Sequence, residues 1–217
     1  MALNFLHFIK ELPKRYNEIG SVIPSSPVLA RSMCKGMKVV AGAKNILEVG
    51  PGTGPFTREI LKMMSPLDNF TICEINQGYM QYLKASLKDN LYYQKNKDRV
   101  TFFQGPVQEL KNINSNQKFD VIISALPFAS FPANLVQEIL DYYLEVISEN
   151  GHISFFQYPG LKKASYIMSS NENRDRIRKV EQILHSWCSS ERGSVEKEFT
   201  FLNVPPAVSV HFKAQKQ

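Results

Sequence analysis

Apolar positions fall into two rhythms along this chain. From Asn45 onward, short apolar runs alternate with stretches whose apolar residues recur every three or four positions. Ile46–Val49, Phe70–Cys73, Val100–Phe103, Phe119–Ser124 and His152–Phe156 read as strands, and Thr57–Met64, Gln77–Leu87 and Leu135–Ile147 as helices. In the last helix Leu135, Ile139, Leu140, Tyr143 and Ile147 share one face, and Asn150-Gly151 is a stop signal. Alternation of this kind predicts a parallel sheet with helices on both faces. The tail changes rhythm. Arg174–Trp187 puts Ile177, Val180, Ile183, Leu184 and Trp187 on one side of a helix, and Ser189–Glu196 reads as polar loop. Phe199–Leu202 and Val208–Phe212 then predict two strands joined around Asn203-Val204-Pro205-Pro206. An antiparallel hairpin at the edge of a sheet of about seven strands is the expected outcome.

The first residues stand apart. Met1–Leu12 reads as a short helix ended by Pro13, with Phe5, Phe8, Ile9 and Leu12 on one face and Leu6 at its margin. Asn4, His7, Lys10 and Glu11 lie opposite. Lys10 and Glu11 interrupt the apolar run and no basic segment precedes it, so it is not a secretory signal. Gly20–Ser26 reads as a turn, with a helix starting near Pro27. The expected organisation is a helical arm over residues 1–44 and one α/β domain over residues 45–217.

Composition narrows this little: 43% apolar and 21% charged residues are ordinary globular usage. No run approaches the ~18 apolar residues of a membrane-spanning helix. Cys34, Cys73 and Cys188 are odd in number and widely spaced, which points to a reducing cytosol rather than a disulfide framework. Four scattered His give no metal site. Charge is more informative. The net value is +6, and residues 1–45 hold seven basic side chains against Glu11 and Glu18. Lys10, Lys14, Arg15, Arg31, Lys35, Lys38 and Lys44 therefore concentrate the excess at the N-terminal end. A basic arm attracts polyanions, either nucleic acid or an anionic lipid surface.

The strongest constellation of chemistry is Glu48-Val49-Gly50-Pro51-Gly52-Thr53-Gly54, which follows the first strand and opens the first helix of the domain. Glycines there let backbone approach a ligand where a side chain clashes. Glu74 ends the second strand, where an acid can bind both hydroxyls of a ribose. The dinucleotide fingerprint needs glycine where Pro55 stands, and the lysine of a phosphate-binding loop is missing. Glu48 suits a cationic ligand better than a pyrophosphate. The combination fits S-adenosylmethionine, a sulfonium nucleoside.

The glycine loop resembles motif I of class I methyltransferases, which implies a Rossmann-like, mostly parallel seven-stranded sheet. More of the chain resembles one family within them, the bacterial phospholipid N-methyltransferases that convert phosphatidylethanolamine towards phosphatidylcholine. Phe5–Phe8 with Gly20-Ser21-Val22-Ile23-Pro24-Ser25-Ser26 and Leu29-Ala30 carry the resemblance, as do Glu48–Thr57. So do Ile123-Ser124-Ala125-Leu126-Pro127-Phe128 with Phe155-Phe156-Gln157-Tyr158, and finally Asn203–Ala207. The two middle segments are shared in part with rRNA adenine dimethylases. One departure is Gly105-Pro106-Val107, where the family usually has Gly-Asp-Ala; Gln104 or Gln108 is the candidate substitute for the missing acid.

The resemblance implies lipid-amine N-methylation, acting on phosphatidylethanolamine and its mono- and dimethyl forms. It places Ser25 and Ser26 over the cofactor. The rest of the expected cofactor set is Glu48, Gly50, Gly52, Thr53, Gly54, Glu74, Ile75, Gly105, Pro106, Val107 and Ala125. Methyl transfer from a sulfonium is a direct displacement, so alignment of the amine is what the protein must supply. Backbone carbonyls at Ala125 or Leu126 and the phenol of Tyr158 are the candidates, with Tyr158 as the catalytic residue. Phe128, Phe131 and Tyr158 are candidate substrate walls. Arg31 and the Lys162/Lys163 pair are candidate phosphate ligands. The arm is expected to touch an anionic membrane through Phe5, Phe8, Ile9, Leu12, Lys10, Lys14 and Arg15, in a monomer at the inner face of the cytoplasmic membrane. The competing reading is an RNA adenine N6-methyltransferase of the rRNA dimethylase type. Those enzymes usually place Asn before Leu-Pro, where this chain has Ala125, so nucleic acid is the less expected partner.

Overall fold

A computed structural model describes residues 25–112, 117–159, 171–189 and 191–215. The arm residues Phe5, Phe8, Ile9, Lys10, Leu12, Lys14 and Arg15, and the Lys162/Lys163 pair, lie outside the described residues.

The described chain opens with α1 (Pro27–Met33) and a single-turn α2 (Gly36–Val39). Ser26 caps α1, its hydroxyl accepting from Leu29 N at 3.2 Å, and Pro27 fits the first turn because its missing N–H has no helical partner there. The alternating unit follows: β1 (Asn45–Val49), α3 (Pro55–Met63), β2 (Asn69–Glu74), α4 (Gln77–Leu87), α5 (Leu91–Asn96), β3 (Val100–Gln104), β4 (Phe119–Ser124), α6 (Ala133–Val146) and β5 (Ile147–Gln157). Then come α7 (Asn171–Cys188), β6 (Gly193–Thr200) and β7 (Ala207–Ala214).

The strands form one seven-stranded sheet in the order β3-β2-β1-β4-β5-β7-β6. β1 to β5 are parallel, and β7 runs antiparallel to both β5 and β6. The order reverses beside β1, between β2 and β4, and a doubly wound sheet opens a crevice at such a point. Alternation along β1 divides the core. Leu47 and Val49 join Ile139, Leu140, Tyr143 and Trp187 of α6 and α7 on one face. Ile46 joins Leu29 and Met33 of α1, Ile60 of α3 and Leu83 of α4 on the other. Helices thus cover both faces, as the sequence pattern predicts.

Two boundaries differ from expectation. The stretch Ser189–Glu196 is not all loop, because β6 already starts at Gly193. As an edge strand it leaves Ser194, Glu196, Lys197 and Glu198 exposed, and so lacks an apolar signal. β5 starts at Ile147 and not near His152, because its pairing with β4 slips at an irregularity between Phe119 and Val121. Asn150 takes φ 62° within that irregular stretch.

Candidate cofactor cleft and its neighbouring polar cluster

The loop between β1 and α3 carries Gly50, Gly52 and Gly54 at φ 72°, 54° and 82°, a region that side chains other than glycine's rarely tolerate. A Cβ on Gly54 sits 2.4 Å from Leu83 Cδ1, so this glycine lets the loop close on α4. A Cβ on Gly52 meets nothing within 4 Å. It projects into an open cleft whose empty volume, mouth included, is about 830 Å³. The carboxyl ends of β1, β2 and β4 form the floor, through Val49, Gly50, Gly52, Cys73, Glu74 and Ala125. One wall is Ile75, Asn76 and Tyr79 after β2; another is Gly105 to Gln108 after β3. Leu126, Pro127, Phe131, Leu135 and Ile139 close an apolar side.

Glu74 is the cleft's acid. Its Oε1 accepts from Asn76 N at 2.8 Å and its Oε2 from Gly52 N at 3.3 Å. Burial raises its pKa, and backbone N–H groups of Asn76, Gly52 and Ile75 work against that rise. Asn76 itself caps α4, accepting from Tyr79 N at 3.0 Å. The carboxylate is therefore fixed against the glycine loop on the floor of the cleft.

Glu48 is placed differently. It is fully buried on the α3 face of β1, where Thr57 Oγ1 donates to its Oε2 at 2.6 Å and its Oε1 has no partner. Burial pushes its carboxyl up to about 8, so it is largely protonated at neutral pH. It does not line the cleft, and as a neutral acid it offers no charge to a cationic ligand. Thr53 and Gly54 belong to the loop but not to the cleft wall; Thr53 O accepts from Arg58 at 2.7 Å.

The residues around the cleft fit S-adenosylmethionine. The space beside Gly52 is one that a Cβ would enter. Glu74 places in the cleft a carboxylate of the kind that binds ribose hydroxyls, and apolar walls flank it. Where the sequence offers two glutamines for an adenine amino group, Gln108 lines the cleft and Gln104 does not. Asn76 and Tyr79, which line the cleft, were not foreseen; their signal was position, just past the strand that ends in Glu74.

Beside the cleft, at the end of β5, lies a second cluster. The Tyr158 hydroxyl hydrogen-bonds with the side chains of Asn203 and Ser25, and burial raises its pKa. Asn203 is 2% exposed; its Oδ1 accepts from Ser26 N and its Nδ2 donates to Pro205 O, both at 2.8 Å. Tyr158 packs edge-on against Phe156 at 5.1 Å, and Phe156 against Phe56 of α3 at 5.8 Å. Ser25, Ser26 and Tyr158 are thus brought together, next to the cleft rather than lining it. The buried Asn203 joins three segments distant in sequence, which no local pattern announces.

The candidate walls separate. Phe131 lines the cleft, whereas Phe128 is 3% exposed and packs against Phe131 and Phe155 in the core. Arg31 is exposed on α1 and is not part of the cleft wall. Among the described residues no group of three His, Cys, Asp or Glu side chains could hold a metal ion. No described helix is long and apolar enough to cross a membrane.

Comparison with known proteins agrees with this geometry. Residues 46–151 match the family described as "Methyltransferase domain". An ornithine lipid N-methyltransferase of Singulisphaera acidiphila is 25% identical over 151 residues, covering 68% of this chain and 74% of that protein. Among solved structures, an O-methyltransferase from Bacillus cereus in complex with SAH superposes with a TM-score of 0.68 at 14% identity, covering 95% of this chain and 91% of that one. The O-methyltransferase TomG from Streptomyces achromogenes, in complex with SAM, gives 0.66 at 10% identity, with 94% and 87% covered. At such identities the likeness is one of fold. The chain is therefore an S-adenosylmethionine-dependent methyltransferase of class I fold, its methyltransferase domain matched over residues 46–151.

Proposed function

We propose that this protein N-methylates an amine lipid at a membrane surface, with phosphatidylethanolamine and its mono- and dimethyl forms as the first substrates to test. The observation that carries the lipid assignment is the likeness of two-thirds of the chain to an enzyme named for ornithine lipid N-methylation. When bound, S-adenosylmethionine supplies an electrophilic methyl group on a sulfonium. Glu74 and the glycine loop hold the cofactor, with Gln108, Ile75, Gly105, Pro106 and Val107 as further contacts.

The remaining task is to present a neutral amine. A lipid ammonium has no lone pair and, with no Asp or Glu in Ser124–Phe128 to take its proton, releases that proton to water before the neutral amine docks. The Tyr158 phenol, kept neutral by burial, accepts a hydrogen bond from the amine, and its ring face suits the cationic product. Leu126 O already accepts from Phe128 N at 3.0 Å, which favours the Ala125 carbonyl as the second acceptor. Ser25 and Asn203 fix the phenol in place. The arm over residues 1–44 brings the enzyme to anionic lipid through Phe5, Phe8, Ile9 and Leu12 and the nearby cations.

The test offers labelled S-adenosylmethionine with vesicles of phosphatidylethanolamine, vesicles containing ornithine lipid, and RNA, side by side. Label in a lipid amine is the expected result, and the lipid that labels fastest names the substrate. Label in RNA adenine with none in lipid overturns the reading.

A further inference from the structure

The turn between β6 and β7 has a composition unlike the rest of the surface. From Phe199 to Val208 no residue is charged. Within it Phe199, Phe201, Leu202 and Val204 are 64%, 77%, 76% and 67% exposed. The two phenylalanine rings stack on each other, centroids 6.0 Å apart. Exposed apolar side chains scattered singly are ordinary; four on one turn are not.

Position gives the patch meaning. Val208 pairs with Gln157, the last residue of β5, and Ala207 pairs with Thr200. The turn therefore projects from the carboxyl edge of the parallel strands, the edge that carries the glycine loop and the cleft. Asn203, inside the same turn, is buried and tied to Ser26 N and to the Tyr158 hydroxyl. The apolar side chains thus flank a polar anchor that reaches the proposed amine site.

We infer that this turn is a membrane-dipping element that seats the cleft against the lipid surface from which its substrate comes, a reading that rests on the lipid function proposed above. Four side chains at these exposures offer on the order of 500 Å² of apolar area. That falls short of the roughly 800 Å² per partner of a stable protein interface. It suits a shallow insertion that adds to other contacts, since interfacial binding scales with the apolar area buried. The exposed cations nearby, Arg31 on α1 and Lys197 on β6, complement anionic headgroups, and α1 packs against both β6 and β7. Glu198, Lys213 and the Lys35–Glu196 ion pair are further charged groups of this hairpin among the described residues.

The experiment uses the full chain with Leu202→Trp and vesicles of phosphatidylglycerol and phosphatidylethanolamine brominated on their acyl chains. Trp187 is buried and serves as the unquenched background. Bromine should quench the added emission. The triple variant Phe199→Ser, Phe201→Ser, Leu202→Ser should lose about tenfold or more in vesicle partition, with methylation of detergent-dispersed lipid retained. No quenching beyond the parent's overturns the inference even if lipid is methylated. Quenching in a protein that methylates no lipid leaves the docking surface standing and removes the substrate reading. A concentration-dependent dimer that Leu202→Trp reports without bromine quenching assigns the patch to a second copy, which also overturns it. So does a lipid-free emission shift on deleting residues 2–13, if bromine again has no effect.

Discussion

At the scale of single residues, two acids on neighbouring strands do opposite things. Glu74 holds hydrogen bonds from the glycine loop and faces the cleft, so Glu74→Ala removes a charge-assisted contact worth ~1.5–3 kcal/mol, a loss of about tenfold or more in cofactor affinity. Gly52→Ala adds a Cβ to a residue at φ 54° and aims it into the cleft, so titration calorimetry should show weakened S-adenosylmethionine binding in both variants. Unchanged affinity would remove Glu74 from the site. Glu48 is a buried acid raised to about 8 from an ordinary value near 4.5. Its contribution to stability is fully present below about 4.5 and is lost as pH rises through about 8, because the unfolded chain releases the proton first. Glu48→Gln should therefore be more stable than the parent at pH 8 and equal to it near pH 4, by denaturant midpoints; a constant gap at both would contradict the buried-proton account. Tyr158 divides along its own structure. Tyr158→Phe keeps the ring and removes the hydroxyl, so turnover should fall with cofactor affinity intact; normal turnover in Phe with none in Ala reduces the residue to an aromatic wall. Glu74 was legible in the sequence because an acid at a strand end beside a glycine loop is a local pattern. The burial of Glu48 was not legible, because proximity to the loop in sequence does not say which face of β1 a side chain takes.

At the scale of elements, strands buried on both faces were readable, and so was the edge hairpin, but not where its outer strand begins. β1, β2 and β4 are short apolar runs that admit little else, whereas β6 exposes most of its side chains and reads as loop up to Glu196. α5 escaped for a similar reason: Leu91 and Tyr92 are exposed, so its apolar residues mark no stripe. The antiparallel pair of β5 and β7 carries a feature that pattern could not reveal, two histidine rings packed at a tilt. His152 and His211 lie with ring centroids 5.5 Å apart, both buried, and Ser154 Oγ sits 3.0 Å from His211 Nδ1. Burial lowers both to about 4, helped by Lys35 of the turn before α2 and opposed by Glu196 of β6. Lys213 adds to the lowering at His152, and Glu198 Oε2 stands 3.8 Å from His211 Nε2. Both rings are neutral in the fold at pH 6.5, so the unfolded chain binds more protons below that value. Stability from this pair is present above about 6.5 and lost as pH falls toward about 4. Denaturation midpoints should drop across that window, and His211→Gln should flatten the slope; an unaltered slope would clear the pair of any part in acid unfolding.

At the scale of the whole molecule, the exposed apolar turn sits at the cleft edge, and the basic excess follows the chain. The basic excess lies in residues 1–45, and the last residues of that stretch pack against the sheet through α1 and α2. Deleting residues 2–13 should cut sedimentation with anionic vesicles to the part that the β6–β7 tip supplies, while largely sparing S-adenosylmethionine affinity. Electrostatic attraction near ~1 kcal/mol per cation is screened by salt, so added salt should weaken recruitment and leave an apolar remainder. Replacing Phe5 and Phe8 by Ser should reduce that remainder; a deleted protein that pellets as fully as the parent means that the arm is structural. Strand direction gives the molecule a front and a back. β7 begins at the cleft edge with Ala207 and, antiparallel to β5, ends at the opposite edge with Ala214 paired to Gly193. A tether attached beyond Ala214 therefore leaves the protein from its rear. Anchored on a bead or sensor chip by that end, every copy presents its cleft and hairpin tip outward, so an immobilised layer is already oriented for lipid presented from solution.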